Sequence, residues 1–364
     1  ANATNGGGFG ELTGIWFAKF ETTNDGTEDT PVISVKPAKA SYMDKTIGEF
    51  FSTAKSSTFG EKSAKVLNSH MAKNSEWGAV TYLAQSEFGT NGIKTQNNGF
   101  YYTGGINDAS KESQIYTNNY KQSTTYNATG VYDMNGGAYE YVMGNFNDQK
   151  GSSGFSVLPE SKYYNLYSSL TFTGDATTNV DYCTIDTCGG HAVSETYGWY
   201  GDNKKFVTSD KPWFIRGGDN TGGSRVGMFA VNNANGNADN EYSMRSILVN
   251  LPSYTITYNM NDGFGSISSQ TKIYGVDLTL SDIIPSRVGY KFLGWGTSAA
   301  ATTATYQPGG TYTGNTGITL YAVWQANTYT ISYDYTGGTV TTANPTGYNA
   351  GTNTITLNNP SRTG

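Results

Sequence analysis

The last third of the chain alternates apolar and polar positions. Tyr254, Ile256 and Tyr258 are separated by threonines. The stretch from Ile318 to Trp324 alternates in the same way. A period of two residues is typical of β-strands with one buried face. We therefore predict small β modules in this part of the chain.

Two separated motifs return there at one common offset. Tyr254-Thr-Ile-Thr-Tyr258 returns 75 residues later as Tyr329-Thr-Ile-Ser-Tyr333. Pro285-Ser-Arg-Val-Gly289 returns at the same offset as Pro360-Ser-Arg-Thr-Gly364. A fixed offset shared by two motifs indicates a tandem repeat. We predict one module over residues 253–327 and the first half of a second module over residues 328–364.

Residues 1–250 lack this period. The spacing of apolar residues predicts one helix over Thr46–Ser56 and another from Ser69 to Leu83, with Ser69 as the candidate N-cap. Elsewhere, clusters of Gly, Asn, Ser and Thr interrupt short aromatic stretches. This pattern indicates a loop-rich α+β domain, and long loops in such domains usually have a functional role.

The composition excludes two classes of partner. Charged residues make up only 14% of the chain, and the formal net charge is −6. A surface with so few basic residues is a poor match for nucleic acid or an anionic membrane. No apolar run approaches the roughly 18 residues of a membrane-spanning helix, and no leader begins at Ala1. We expect a mature, processed or trimmed chain without a transmembrane segment.

The cysteines are Cys183 and Cys188, in a loop-like stretch with four residues between them. We favour a small disulfide loop over two free thiols, because the rest of the chain has an extracellular composition. A zinc site needs four ligands, and His191 would supply only a third. We therefore do not predict zinc.

The repeated module is similar to a known family. Gly289-Tyr-Lys-Phe-Leu-Gly-Trp295 and Leu320-Tyr-Ala-Val-Trp324 resemble the Listeria–Bacteroides repeat, also called the internalin B-type repeat. The resemblance implies small β-grasp-like modules strung in tandem on bacterial surface proteins. We expect Trp295 and Trp324 to provide much of a small core. We interpret the repeats as a spacer, with direct ligand binding as the less favoured alternative.

Three stretches of the first 250 residues resemble the formylglycine-generating-enzyme or sulfatase-modifying-factor family. They are Asn74–Tyr82, Gly130–Tyr141, and Trp213–Gly218 followed by Ser243–Arg245. The resemblance implies a variant of the C-type lectin fold. The predicted fold class is therefore α+β, with a C-type-lectin-like head of the formylglycine-generating-enzyme subtype over residues 1–250, followed by the small β-grasp-like repeats.

The catalytic residues of that family are not matched. Its two catalytic cysteines, which bind copper, would fall on Gly222 and Gly227, and glycine provides no ligand. Related nonheme-iron enzymes use three histidines, whereas this chain has only His70 and His191. We interpret His70 as a packing or capping residue of the second predicted helix. We predict no enzyme activity.

The family's calcium motif is matched better. Its side-chain oxygen, two backbone carbonyls and carboxylate correspond here to Asp133, Gly136, Ala138 and Glu140. Calcium prefers such oxygen ligands, so the resemblance implies a structural Ca²⁺ site. In the alternative interpretation, Asp133 only forms a turn and Glu140 is solvated.

An asparagine-rich segment, residues 219–242, lies between the Arg-Gly-Gly and Ser-Met-Arg motifs. Asn, Ser, Asp and Tyr are enriched in antibody paratopes, which favours a recognition surface. The segment also resembles the variable region of diversity-generating-retroelement proteins, although an ordinary set of polar loops would look similar. Under that hypothesis the framework is Gly217, Gly218, Gly227, Phe229 and Arg245. The contact positions are Asp219, Asn220, Ser224, Arg225, Asn232, Asn233, Asn235, Asn237, Asp239, Asn240 and Tyr242.

Together these features predict a non-catalytic, extracellular ligand-binding protein of adhesin or receptor-binding type, on a bacterial surface or encoded by a phage. The expected partner is a protein or glycan on another cell or surface. One alternative is a structural surface or pilus subunit. Another is an enzyme with an unrecognised site, built on carboxylates such as Asp175 and Glu195.

Overall fold

The computed structural model describes residues 14–57, 67–105, 116–168, 189–223, 226–352 and 354–364. The chain forms two compact units, Ala1–Pro252 and Ser253–Gly364. Both units are rich in β-sheet, and the helices of the described residues lie in the first, so the architecture is α+β.

The first unit contains two α-helices and ten short strands among its described residues. The helices are α1 (Ile47–Ser56) and α2 (Asn74–Gln85). The strands are β1 (Ile15–Phe17), β2 (Thr23–Asn24), β3 (Ile33–Ser34), β4 (Leu67–Met71), β5 (Tyr139–Phe146), β6 (Asn165–Tyr167), β7 (Trp213–Gly217), β8 (Gly227–Ala234), β9 (Tyr242–Met244) and β10 (Ser246–Asn250). Short 3-10 helices lie at Tyr116–Gln122, Ser161–Tyr163, Ser194–Thr196 and Trp199–Gly201.

A five-stranded sheet is the central layer of this unit. Its order is β6-β5-β7-β8, and β9 pairs in parallel with β5. Successive side chains of a strand point to opposite faces. Tyr141 of β5 and Trp213 of β7 accordingly join one buried cluster with Phe50 of α1, whereas Val142 and Phe214 join a second cluster that contains Trp77 of α2. Smaller sheets, β1-β10-β4 and β2-β3, complete the unit.

The first predicted helix is confirmed, and the start of the second was wrong. Thr46 caps α1, and its hydroxyl accepts from the Glu49 backbone N–H at 3.3 Å. The residues from Ser69 to Met71 belong to β4, which pairs antiparallel with β10, so α2 begins only at Asn74. Ser69 is therefore not an N-cap, and His70 lies in a strand and not in a helix.

The second unit contains a mixed sheet of four strands in the order β12-β11-β16-β14, in which β11 and β16 are parallel. Both predicted strands are confirmed. Trp295 is fully buried in its core, and Trp324 packs against that core while its Nε1 donates to the Met260 and Asn261 carbonyls. The strands are β11 (Ser253–Asn259), β12 (Gln270–Ile273), β13 (Leu278–Thr279), β14 (Tyr290–Gly296), β15 (Thr311–Tyr312), β16 (Ile318–Ala326), β17 (Thr328–Thr330) and β18 (Gly347–Asn349).

The same offset of 75 residues appears in the backbone contacts. Phe264 bridges to Ser286, and Thr339 bridges to Ser361. The Arg287 guanidinium donates to the Asn261 carbonyl at 3.4 Å. The equivalent Arg362 donates to the Thr336 carbonyl at 3.3 Å. The second, shorter segment therefore reproduces the local structure of the first module.

Candidate functional site

The asparagine-rich segment is built on two strands of the central sheet. It comprises a loop over residues 218–223, strand β8, a loop over residues 235–241 and the start of β9. The pairing of β7 with β8 is irregular, since Arg216 pairs with Val231 but Gly217 pairs with Gly227. Residues 228–230 are therefore extra residues on β8, and such a bulge bends a strand and changes where its side chains point.

A cavity of about 250 Å³ opens where these elements meet. Asn232 and Val231 of β8 line one side, and Tyr139, the first residue of β5, lines another. The cavity is smaller than the roughly 300 Å³ at which small-molecule pockets begin. It is therefore suited to one protruding group of a larger ligand. The remaining lining residues are Asn203, Gly218, Gly222, Val226 and Ala230.

The loop over residues 235–241 is held by the start of α1, by the residues just before it and by a tyrosine hydroxyl of β5. The Ile47 backbone N–H donates to the Gly236 carbonyl at 3.2 Å, and the Asp44 N–H donates to the Asp239 carbonyl at 3.1 Å. The Tyr141 hydroxyl donates to the Asn237 carbonyl at 3.0 Å. Helix α1 and β5 thus fix the backbone of the loop while polar side chains remain on its outside.

The predicted contact positions differ in their exposure. Asn240 is exposed, and Asp219 and Asn233 are buried. The Asn233 amide donates to the Phe206 carbonyl, so this side chain holds β8 from inside. The half-buried positions are Asn220, Asn232, Asn235, Asn237, Asp239 and Tyr242, whereas Ser224 and Arg225 lie outside the described residues.

Carboxylates from both loops lie near one another on this surface. Burial, followed by the charges of Asp219 and Asp239, raises the pKa of Glu241. Burial, followed by Glu241, Asp219 and Asp239, raises the pKa of Tyr101 to about 12. The face is therefore acidic. No sequence pattern marks Glu241, which is one of several polar residues in the segment. Tyr101 and the cavity residues Tyr139 and Asn203 lie outside the segment, and only the fold brings them here.

Gly222 and Gly227, where the resemblance would place two cysteines, each lie against another side chain. A Cβ on Gly227 would overlap the Asp202 carboxylate, and a Cβ on Gly222 would overlap the Val226 side chain. The Asp202 carboxylate itself accepts from the Phe229 N–H at 3.2 Å and from the Lys94 ammonium at 2.6 Å. A side chain at either glycine would need the neighbouring backbone or these groups to move.

The predicted calcium ligands lie in a buried cluster of charges. Glu140 is fully buried, and both of its oxygens accept from the Arg245 guanidinium. Asp133, at a positive φ of 64°, accepts from the Gly104 N–H at 2.9 Å and from the Asn98 amide at 2.9 Å. Glu21, which sequence analysis missed, accepts from the Ala138 N–H at 3.0 Å. Arg245 thus bonds to Glu140 and is also close enough to feel the charges of Asp133 and Glu21.

Burial dominates the titration of this cluster. It raises the pKa of Asp133 to about 6 and that of Glu140 to about 7, while the Arg245 charge opposes both shifts. Burial and the Glu140 and Asp133 charges raise the pKa of Glu21 well above its usual range. Within the described ranges, no three His, Cys, Asp or Glu side chains are arranged as ligands of one metal ion. In this arrangement the acidic oxygens bind protein donors, and a cation would have to displace them.

The backbone of the predicted calcium loop joins two motifs. The Gly136 N–H donates to the Gly217 carbonyl at 3.3 Å, which links the middle stretch to the Arg-Gly-Gly motif. Gly136 itself has a φ of +79°, and a Cβ there would overlap the Asn97 side chain. Both Gly136 and Ala138 are buried, and the structure gives this loop a clear role in packing.

The remaining titratable candidates also have structural contacts. His70 Nε2 lies 2.9 Å from Glu76 Oε1, and His191 Nδ1 lies 2.7 Å from the Tyr167 hydroxyl; both pairs are buried. Glu195 accepts from the Ala192 N–H at 2.8 Å and thereby holds a turn. Cys183, Cys188 and Asp175 lie outside the described residues, as does the predicted disulfide.

The three stretches that resemble the enzyme family meet in the interior. The Arg216 guanidinium donates to the Asn74 side chain at 3.2 Å and lies 5.6 Å from the Trp77 ring centroid. Arg245 donates to Glu140 of the middle stretch. The residues that are most recognisable in the sequence therefore lie in the interior of the first unit.

The second unit is similar to a known family of repeat domains. Residues 254–323 and 329–364 match the family model of the Listeria-Bacteroides repeat domain. No curated protein matches the chain. Neither α1 nor α2, the α-helices of the described residues, is long and apolar enough to span a bilayer.

Proposed function

We propose that the first unit is a non-catalytic ligand-binding head, displayed extracellularly by the repeats, and that its binding face is the surface of residues 219–242. The repeat domain is of a bacterial surface type, which fits a surface-associated role. The observation that supports the binding face most directly is the small cavity between this segment and the start of β5. A rigid sheet beneath polar loops is a common way to position binding groups.

The proposed fold of the head is C-type-lectin-like, of the formylglycine-generating-enzyme subtype. Its support is the convergence of the resembling stretches on Arg216 and Arg245. The proposal that the face is a diversified region is supported by a difference in burial. The proposed framework residues Gly217, Gly218, Gly227, Phe229 and Arg245 are all buried, whereas six of the nine described contact positions are half-buried and Asn240 is exposed.

The absence of catalysis is proposed from Gly222 and Gly227. Neither residue offers a thiolate, and the space beside each is already filled by Val226 or Asp202. A protein or a glycan would both suit the face, because Asn and Tyr side chains provide hydrogen bonds and aromatic surface. We propose that the ligand inserts one group into the cavity and contacts the surrounding loops.

A structural Ca²⁺ at Asp133 and Glu140 remains a prediction from the family motif. The bonds from Arg245 and Gly104 compete with such an ion. If calcium binds, adding it to a fully chelated sample should raise the melting temperature of the head, since a ligand of the folded state stabilises that state. Identical melting curves with and without calcium would remove the site from the proposal.

The binding proposal is tested with arrays of glycans and surface proteins. The full chain is compared with a variant in which Asn220, Asn232 and Tyr242 are changed to alanine. A matched control has alanine at Ser332, Thr341 and Asn359, which are exposed polar residues of the second repeat. We expect a ligand that binds the full chain and the control but binds the face variant at least about tenfold more weakly, which corresponds to about 1.4 kcal/mol.

Two outcomes would contradict this proposal. One is a ligand that binds all three proteins equally, because binding would then lie elsewhere on the chain. The other is the absence of any ligand in a screen in which the proteins are folded, which would favour the structural surface or pilus subunit. Circular dichroism of each variant verifies that the head is folded.

A further inference from the structure

The first repeat contains a fully buried lysine. Lys272 lies in β12 with 0% of its surface exposed, whereas Lys291, the other lysine of the second unit, is exposed. Lysine is almost never fully buried without a partner, because removing an ammonium group from water is costly. Burial accordingly lowers the pKa of Lys272, which favours the neutral amine. A neutral lysine amine is a nucleophile, so its neighbours decide whether it reacts.

The partner of this amine is a side-chain amide. The Lys272 Nζ donates to Asn315 Oδ1 at 3.1 Å, although 43 residues separate the two in the chain. The amide carbon Cγ is bonded to that oxygen at about 1.2 Å, so it lies within about 4.3 Å of the amine. Nζ also donates to the Ile273 carbonyl at 2.8 Å, which holds the end of the lysine side chain in this place. A nucleophile and an electrophilic carbon are therefore close neighbours.

The carbonyl of this amide is held and polarised by a second donor. The Gly275 backbone N–H donates to the same Oδ1 of Asn315 at 2.8 Å. Such a donor stabilises the negative charge that the oxygen gains when a nucleophile adds to the carbon. The chain around Asn315 is fixed as well, because the hydroxyl of the buried Tyr312 donates to the Thr316 carbonyl at 3.0 Å. The amide is thus presented to the amine in one orientation.

A carboxylate lies within electrostatic reach of the amine. The charge of Asp277 acts on Lys272 and opposes the effect of burial on its pKa. Asp277 is exposed and lies in the short connection between β12 and β13, two residues after Gly275. A carboxylate in this place can take a proton from the attacking amine and give it to the leaving nitrogen. Amine, polarised amide and proton carrier are therefore brought together by the fold of the first repeat.

We propose that Lys272 and Asn315 join in an intramolecular isopeptide bond. A bond forms between Lys272 Nζ and Asn315 Cγ, and the bond from Cγ to Nδ2 breaks. Asp277 carries one proton from Nζ to Nδ2, which leaves as ammonia, and nothing is oxidised or reduced. The product ties the edge strand β12 covalently to the loop before β16. The proposal does not rest on ligand binding by the head, because these residues belong to the second unit.

Mass spectrometry of the reduced, denatured full chain tests the proposal. Loss of ammonia makes the linked chain about 17 Da lighter than its sequence mass. Trypsin does not cleave after a linked lysine, so digestion should leave the chain intact at Lys272 and joined to the peptide that contains Asn315. The variants are Asn315→Ala and Lys272→Arg, since arginine keeps the positive charge but is not deprotonated in proteins. The matched control is Lys291→Arg, in the same repeat.

We expect the mass loss and the branched peptide in the wild-type chain and in Lys291→Arg, and the full sequence mass in Lys272→Arg and Asn315→Ala. Asp277→Asn should form the bond at least about 100-fold more slowly, because the proton carrier is lost. A wild-type chain of full sequence mass would overturn the proposal, and this readout depends on no variant. A mass loss that persists in Lys272→Arg would overturn it too, since the ammonia would then come from another reaction, such as succinimide formation at an Asn-Gly sequence.

Discussion

At the bulge in β8, Gly227 lies against the carboxylate of Asp202. A Cβ there would overlap that carboxylate, which also holds the Phe229 N–H and Lys94. We therefore expect Gly227→Ala to lower the free energy of unfolding of the head by about 2 kcal/mol or more, because a tightly packed site must deform. Urea denaturation measures the change.

Gly99 provides the control for that substitution. A Cβ on this residue would meet nothing within 4 Å, and its φ is not in the left-handed region. Gly99→Ala should therefore change the free energy of unfolding by no more than about 0.5 kcal/mol. If Gly227→Ala were equally harmless, Asp202 would be free to move, and the space proposed to be closed to a catalytic side chain would be open.

The stability of the head should depend on pH through His191. Burial lowers the pKa of His191 from 6.5 to about 4, so the folded head keeps this ring neutral where the unfolded chain protonates it. The unfolded state therefore binds more protons between pH 6.5 and about 4, and stability falls as the pH falls through this window. We expect His191→Gln to reduce the loss between pH 7 and 4.5 by about 2 kcal/mol.

Urea denaturation of the wild type and of His191→Gln at several pH values measures the difference. Other groups, such as Asp133 and Glu140, titrate in both proteins, so only the difference between the two profiles reports on His191. Profiles that run parallel from pH 7 to 4.5 would show that the folded state accommodates a protonated ring at this position.

Residue roles were the hardest feature to predict from the sequence. The motif identified Asp133 and Glu140 as notable carboxylates, but their partners lie far along the chain. Arg245 is 105 residues from Glu140, and Glu21 is 117 residues from the Ala138 N–H that it accepts from. A sequence pattern contains local spacing, whereas the environment of a buried charge depends on contacts that only the fold creates.

At the scale of elements, the capped start of α1 holds the loop over residues 235–241, which is part of the proposed binding face. Its N-cap, Thr46, also donates its backbone N–H to the Glu49 carboxylate at 2.8 Å, which completes a capping box. We expect Thr46→Ala to destabilise the head by about 1 kcal/mol, as for other N-cap substitutions. Ser52→Ala is the control, because this exposed hydroxyl bonds back to the Gly48 carbonyl of the same helix and alanine favours a helix.

Thermal unfolding of both variants tests this prediction. Since the first turn of α1 also holds the loop over residues 235–241, loss of the cap should weaken ligand binding as well as stability. A Thr46→Ala variant as stable as Ser52→Ala would show that tertiary contacts, and not the cap, fix the start of α1.

The spacing of apolar residues predicted α1 correctly but placed the start of α2 too early. The prediction of α1 rested on one apolar face, and it was right, although the spacing did not reveal the capping box that fixes the start of the helix. The predicted start of α2 relied on Met71 and Trp77 sharing a face. Met71 belongs to β4 and packs with α1, whereas Trp77 belongs to α2 and packs in the other cluster. The end of β4 and the start of α2 follow each other with the spacing of apolar residues that one continuous helix would have.

On the scale of the whole molecule, the repeats were predictable and the face of the head only partly so. Tandem modules can be recognised in the sequence, because each copy needs similar apolar residues to form its own small core. The segment over residues 219–242 was recognisable by its composition, but its cavity depends on Tyr139 and Asn203 from other parts of the chain. A surface assembled from distant segments cannot be predicted from one short sequence motif.

The two compact units should unfold in separate transitions. Trp295 is fully buried in the core of the second unit. The centroid of its ring lies 4.9 Å from that of Tyr258 and 5.1 Å from that of Phe292. Trp295→Ala should cost about 3 to 5 kcal/mol, which is most of the stability of a module this small. The calorimetric transition of the repeats should move to a much lower temperature or disappear, and that of the head should stay unchanged.

An exposed threonine of the same module, Thr303, provides the control, and Thr303→Ala should leave both transitions in place. If Trp295→Ala instead lowered the transition of the head, the two units would unfold together. The repeats would then contribute to the stability of the head. Ligand binding by the Trp295→Ala variant distinguishes these cases, because a head that folds by itself keeps its affinity when the repeats are unfolded.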